Sequence, residues 1–266
     1  MTPTDDSTRA SAADGIRFAF GTLTVLPVAV SRWDRAAARA GMLSAPLAGL
    51  VVGLCAAAAG GLALLAGAGA PLAAVASVAV PAVLTRGLHL DGLADTADGL
   101  GSGKPAEDAL RIMKQSDIGP FGVITLLLVF AAQLAASAGL YGAGWAQGAV
   151  GSVVAAVAAR LALTLASRTG VPAARPEGLG AAVAGVLPMR TAVAVAVLVT
   201  LCCAAAGALF GAGGALRHGL AVLAALAAAQ LLLRHCVRRL GGVTGDVFGA
   251  LAETAATTAL VALTLG

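Results

Sequence analysis

Long apolar runs separated by short polar connections dominate the chain. Runs at about 41–66, 71–88, 120–140, 145–168, 190–212, 217–234 and 249–265 are each close to the length that crosses a bilayer as a helix. The pattern predicts an all-α, polytopic transmembrane helix bundle with about seven spans, within a range of six to eight, the last being the shortest. A further apolar run at 16–30 is short and broken by Gly21 and Pro27, so it reads as an interfacial or re-entrant helix. Arg32, Trp33, Arg35 and Arg39 follow it as an interface anchor. Residues 1–15 are polar and lack the basic start and cleavage pattern of a signal peptide, which predicts a disordered tail. With no internal repeat, residues 16–266 are expected to form a single integral membrane catalytic domain.

Composition strengthens this reading. Hydrophobic residues make up 59% of the 266 and mean hydropathy is +0.93, above what a water-soluble domain carries. Ala and Gly dominate, and small side chains let membrane helices approach closely. Charge then orients the bundle. The connections at 67–70, 141–144 and 213–216 carry none, whereas all but Arg160 and Arg217 of the 17 Lys and Arg fall on the other side, as do all 13 acids. The positive-inside rule makes the charged side cytoplasmic, so the active-site loops are expected on that face. Aromatics are only 3% and no basic stripe exists, which argues against nucleic acid as a partner. Cys55, Cys202, Cys203 and Cys236 include no C-x-x-C pair and read as small apolar residues. The lipid bilayer is the expected partner, and a homo-oligomer is compatible with the sequence.

Within so apolar a chain, one connection concentrates acids. In His89-Leu90-Asp91-Gly92-Leu93-Ala94-Asp95-Thr96-Ala97-Asp98-Gly99 the three aspartates stand at i, i+4 and i+7, on one face of a helix. Like charges so close repel unless a cation sits among them, and a hard divalent metal with oxygen ligands, carrying phosphate, would relieve the repulsion. A solvated acidic loop is the bland alternative. His89 is a ligand candidate or an interface marker. Downstream, Lys104, Arg111 and Lys114 are candidate phosphate partners, or cations that only enforce topology. Ser116 and the glycines of Gly119-Pro120-Phe121-Gly122 offer backbone N–H groups to a phosphate.

The next two connections add fewer signals. The second contains Arg168, Arg175, Glu177-Gly178-Leu179-Gly180 and Arg190. The third contains Gly241-Gly242-Val243-Thr244-Gly245-Asp246, a tight turn that ends in a carboxylate, with Thr244 a candidate substrate contact. Asp246 reads as a fourth metal ligand, a base, or an ordinary helix N-cap, and Glu253, seven residues on, as facing the same way. Arg160 lies about two turns inside a span. Charge there is costly and usually functional, with snorkelling to the near face as the alternative.

Taken together, the acid motif, the Gly-Pro-Phe-Gly loop and the Gly-Gly-x-Thr-Gly-Asp turn resemble the cobalamin synthase (adenosylcobinamide-GDP ribazoletransferase) family. Gly87-Leu88 before His89, Ile112-Met113-Lys114 with Ser116 and Gly119, Glu177-Gly178-Leu179-Gly180, and Thr24-Val25-Leu26-Pro27-Val28 fit the same family in order and spacing. One departure stands out: after Ile-Met-Lys the family often has Asp-Ser, whereas Gln115-Ser116-Asp117 stands here, so a role for an acid at 115 is not carried over.

The resemblance implies a Mg²⁺-dependent late step of cobalamin biosynthesis. The ribose 3′-hydroxyl of α-ribazole, or of its 5′-phosphate, attacks the cobinamide-linked phosphoryl of adenosylcobinamide-GDP, and GMP leaves. It also implies a bacterial inner (cytoplasmic) membrane location. On this reading Asp91, Asp95 and Asp98 hold the metal. Asp98 or Asp246 accepts the hydroxyl proton. Lys104, Arg111, Lys114, Ser116, Arg160, Thr244 and His89 are the candidate substrate contacts. Two other readings compete. CDP-alcohol phosphotransferases also cluster Asp and Gly on a metal, but place Arg after the Ala of their motif where Asp95 follows Ala94 here. A divalent-cation transporter would place its acids near the bilayer midplane rather than at one face.

Overall fold

The computed structural model describes residues 10–265, and the helical expectation holds. Eleven α-helices follow one another among these residues, and no β-strand occurs, only isolated bridges pairing Arg168 with Leu187 and Ala173 with Val243. The helices are α1 (Ala12–Leu23), α2 (Arg35–Leu65), α3 (Ala70–Leu84), α4 (Leu88–Gly101), α5 (Ala106–Ile112) and α6 (Pro120–Ala143). They continue with α7 (Trp145–Ala166), α8 (Gly178–Val183), α9 (Met189–Gly207), α10 (Gly211–Leu240) and α11 (Gly245–Thr264).

Five stretches are long and apolar enough to cross a membrane: α2, α6, α7, Met189–Leu240 and α11; α3 and α4 reach that length only when taken together, across an 85° bend. The stretch Met189–Leu240 is itself folded in two. Gly207 approaches Gly214 and His218, and Gly219 lies opposite Ala204, so α9 and α10 form an antiparallel hairpin. The chain is a multi-pass helical membrane protein.

Burial sorts the helices. Of the most apolar window of α7, 78% is buried, against 11% for α9–α10, so α7 is the hub and the hairpin faces lipid. Rows of exposed leucines and valines on α2, α6, α9 and α10, among them Leu54, Leu127, Leu128, Val197, Leu198 and Leu231, supply the lipid-facing surface. Helix α7 packs on α2, α6, α9, α10 and α11.

Two expectations shift at the N-terminus. Residues 1–9 of the expected tail lie outside the described residues, but 10–15 are not a free tail: α1 begins at Ala12. The Ser11 hydroxyl accepts from the Asp14 N–H and the Asp14 carboxylate accepts from the Ser11 N–H, a capping box strong enough to start a helix in polar sequence. After Leu23 the chain continues as an irregular segment with bends at Thr24 and Leu26. The Val25 N–H donates to the Leu84 carbonyl at 2.7 Å, which ties this segment to the end of α3.

The corner between α3 and α4 positions the acids. Arg86 (φ 53°) and Gly87 (φ 70°) both adopt left-handed backbone, and Arg86 is the one non-glycine residue to do so among the described residues. This double reversal turns α4 away from α3 by 85°. Helix α4 is only 14 residues long and does not span; it lies against α11 and α6.

Candidate active site

Helix α4 carries the aspartates as the spacing predicted, but its neighbours divide them. Asp91 is exposed, Asp95 half-buried and Asp98 buried. The start of α6 causes the burial of Asp98. The N–H groups of Gly119 and Gly122 donate to its two carboxylate oxygens at 2.8 and 2.9 Å. Both glycines are required: a Cβ on either would stand within 2.5 Å of an Asp98 oxygen. The Gly-Pro-Phe-Gly loop is thus an anion cradle, as expected from its composition, but the anion it holds is Asp98 itself. That carboxylate caps α6 from a distance and braces α4 against it.

A different acid joins the remaining two. Thr244 is the N-cap of α11, its hydroxyl accepting from the Val247 N–H at 3.2 Å and donating to an Asp246 oxygen at 3.1 Å. Asp246 is therefore not the cap, and the carboxylate is free to face α4. The two helices meet main chain to main chain: a Cβ on Gly92 would stand 2.6 Å from the Asp246 carbonyl oxygen. The turn before α11 is pinned from behind. The Val243 N–H donates to the Pro172 carbonyl and the Ala174 N–H to the Val243 carbonyl, both at 2.9 Å.

Asp91, Asp95 and Asp246 thus share one rim. Burial pushes the Asp95 carboxyl up to about 7, with the charges of Asp91, Asp246 and Asp98 adding to the shift and Arg175 opposing it. The Arg175 guanidinium stands 3.8 Å from Asp246 and also donates to the Leu110 carbonyl, so it links the loop before α8 to α5.

Among the described residues no three His, Cys, Asp or Glu side chains form a ready-made metal group. The donor set still fits Mg²⁺. All donors are hard oxygens, the like charges are offset only in part by Arg175, and Mg²⁺ takes only one or two protein carboxylates directly. Asp91, Asp95 and Asp246 would hold it, with Asp98 committed to the amides of α6.

The other candidates scatter. Arg111 and Lys114 line a groove of about 410 Å³ together with Arg175 and Glu177, although Arg111 is also paired with Asp108 at 2.6 Å. Lys104 and Ser116 are exposed in the loops flanking α5, outside that groove. His89 is buried on the side of α4 that meets α11, and shares a cavity of about 100 Å³ with Asp246.

Arg160 does not snorkel. It is 2% exposed in the middle of the bundle, and its Nε and Nη2 have no hydrogen-bond partner among the described residues. With Glu253, Gln133 and Ser77 it lines a cavity of about 50 Å³. Glu253 accepts from Gln133 at 2.9 Å there and does not join Asp246 at the rim, because seven residues of helix carry it about 10 Å deeper.

Sequence reasoning gave Arg175 no role, since it stands in an irregular loop with no motif of its own. Its one signal was its place in the second charged connection.

A family profile described as Cobalamin-5-phosphate synthase matches residues 15–264. Similar proteins include the adenosylcobinamide-GDP ribazoletransferase of Frankia casuarinae, 44% identical over 92% of this chain and 92% of its own length. Those of Nocardioides sp. and Bradyrhizobium diazoefficiens are 42% and 38% identical over 94% and 96% of this chain, and 97% and 94% of their own lengths. No solved structure matches. With its acid rim, its glycine cradle and a match over nearly its whole length, the chain belongs to the cobalamin-5-phosphate synthase family.

Proposed function

We propose that this protein is the adenosylcobinamide-GDP ribazoletransferase of its cell, acting at the cytoplasmic face of a bacterial inner membrane. The observation that carries the reading is the meeting of Asp91 and Asp95 on α4 with Asp246 on α11, beside Arg175. Such a rim suits a diphosphate and its cation. Mg²⁺, when bound, would offset the charge that develops on the diphosphate oxygens.

The protein's own groups do the rest. Arg175 is placed to donate to a phosphoryl oxygen, and Arg111 and Lys114 extend that positive edge. The ribose 3′-oxygen of α-ribazole or its 5′-phosphate forms a bond to the cobinamide-linked phosphorus. The bond from that phosphorus to the bridging oxygen breaks, and GMP departs with the bonding pair. A carboxylate takes the 3′-hydroxyl proton. Asp246 is the candidate for this task, with Mg²⁺ drawing directly on Asp91 and Asp95. Asp98, first considered for this role, is already held by two amides.

The test is GMP release by purified protein given adenosylcobinamide-GDP, α-ribazole 5′-phosphate and Mg²⁺. Wild type should release GMP only when both organic substrates are present. Asp95→Asn should lose at least about 10³-fold in rate while purifying and melting as wild type does. Full turnover by that variant would remove the acid rim from the mechanism. Divalent-metal flux into vesicles without any nucleotide would favour a transporter instead.

A further inference from the structure

A second groove, of about 740 Å³, opens beside Asp91 and shares no lining residue with the basic groove of Arg111 and Arg175. Three walls enclose it. Thr24 and Val25 come from the irregular segment after α1, Arg86 and Leu88 from the α3–α4 corner, and Ile118 and Leu126 from the loop before α6 and from α6 itself. The bond from Val25 to Leu84 fixes the first wall to the second. The second wall contains the left-handed Arg86, the strained position among the described residues. Val25, Leu88 and Ile118 present exposed apolar side chains, interleaved with threonine hydroxyls and one guanidinium.

We propose that this groove seats the corrin macrocycle of the diphosphate substrate, and that the basic groove takes the nucleotide end. This rests on the reaction proposed above. A nucleotide is charged and calls for cations, which the groove offers in Arg111, Lys114 and Arg175, in excess over its acids Glu107 and Glu177. A corrin is a broad ring edged with methyl groups and uncharged amides. It calls for apolar walls with scattered hydrogen-bonding groups, in a volume within the range of ordinary ligand sites. Asp91 lines the first groove, and Arg175, 3.8 Å from Asp246, lines the second. A diphosphate joining the two halves would therefore lie across the acid rim. Helix α1, which does not span, gains a purpose as the support of one wall.

Val25→Trp and Leu126→Trp fill the groove from walls that carry none of the acids. Each should raise KM for adenosylcobinamide-GDP by about tenfold or more, while KM for α-ribazole 5′-phosphate stays within about twofold. A direct reading uses Leu88→Cys in a protein with Cys55→Ala and Cys202→Ala, which removes the exposed native thiols. Adenosylcobinamide lacking the nucleotide should protect this cysteine from a maleimide, and GMP should not. If wild type releases GMP yet neither KM nor labelling responds, the groove assignment falls and the reaction stands. Equal protection by phosphatidylglycerol vesicles would mark a lipid site and overturn it. Failure of wild type to release GMP at all overturns the reaction itself, and is seen before any variant is made.

Discussion

The molecule holds two clusters of charge, and they are built on opposite principles. At the rim, Asp91, Asp95 and Asp246 crowd carboxylates together with only Arg175 to offset them. In the middle of the bundle, Arg160 and Glu253 bring opposite charges together, with Gln133 and Ser77 beside them and a cavity of about 50 Å³ between. The first arrangement costs free energy until something cationic arrives. The second sets one positive charge against one negative, although two Arg160 nitrogens have no hydrogen-bond partner among the described residues. The contrast teaches that a charge inside a membrane bundle is a poor guide to chemistry unless its partners are known. The unbalanced group points to a ligand, and the balanced one to the scaffold.

The comparison can be broken most sharply by exchanging the consequences. Asp95→Asn should silence GMP release yet leave thermal stability in place, as proposed above. Arg160→Leu should do the reverse, lowering unfolding free energy by about 3 kcal/mol because Glu253 is left as an uncompensated buried charge. Adding Glu253→Gln to Arg160→Leu should restore most of that loss in a thermal melt. If Arg160→Leu instead melts as wild type and loses activity, the interior cluster belongs to the reaction.

Asp98→Ala should fall between the two classes. Losing two charged hydrogen bonds to the start of α6 should cost about 2 kcal/mol of stability, and Asp98→Asn should recover part of it in the same melt. A milder effect concerns protons. A cation and a proton compete for Asp95, whose carboxyl titrates at about 7. Lowering the pH from 7 to 6 should weaken Mg²⁺ binding by about fivefold by calorimetry, and Asp95→Asn should flatten that dependence.

Much of this was legible in the chain before any coordinates. The spans were readable because a bilayer demands long apolar runs, and each expected run meets an observed helix within a few residues at most ends. The helical spacing of the aspartates was also sound. What pattern could not reveal was which partners each would meet. Asp98 is claimed by amides 21 and 24 residues further on, and Asp246 is brought to α4 by the crossing of two helices. Glu253 pairs with Gln133 across 120 residues of chain. The start of α1 was missed for another reason. A capping box is only four residues long, and the polar composition around Ser11 and Asp14 outweighed it.

The main-chain contact at Gly92 has a consequence for life in a real bilayer. Helices α2, α6, α9 and α10 present their leucines and valines to lipid, so they can tilt as the membrane thickens or thins. The separation of the carboxylates on α4 and α11 is fixed instead by backbone atoms already touching, with no side chain at residue 92 to compress or rotate. The site should therefore keep its spacing across lipids of different chain length, because its ruler is the polypeptide and not the membrane.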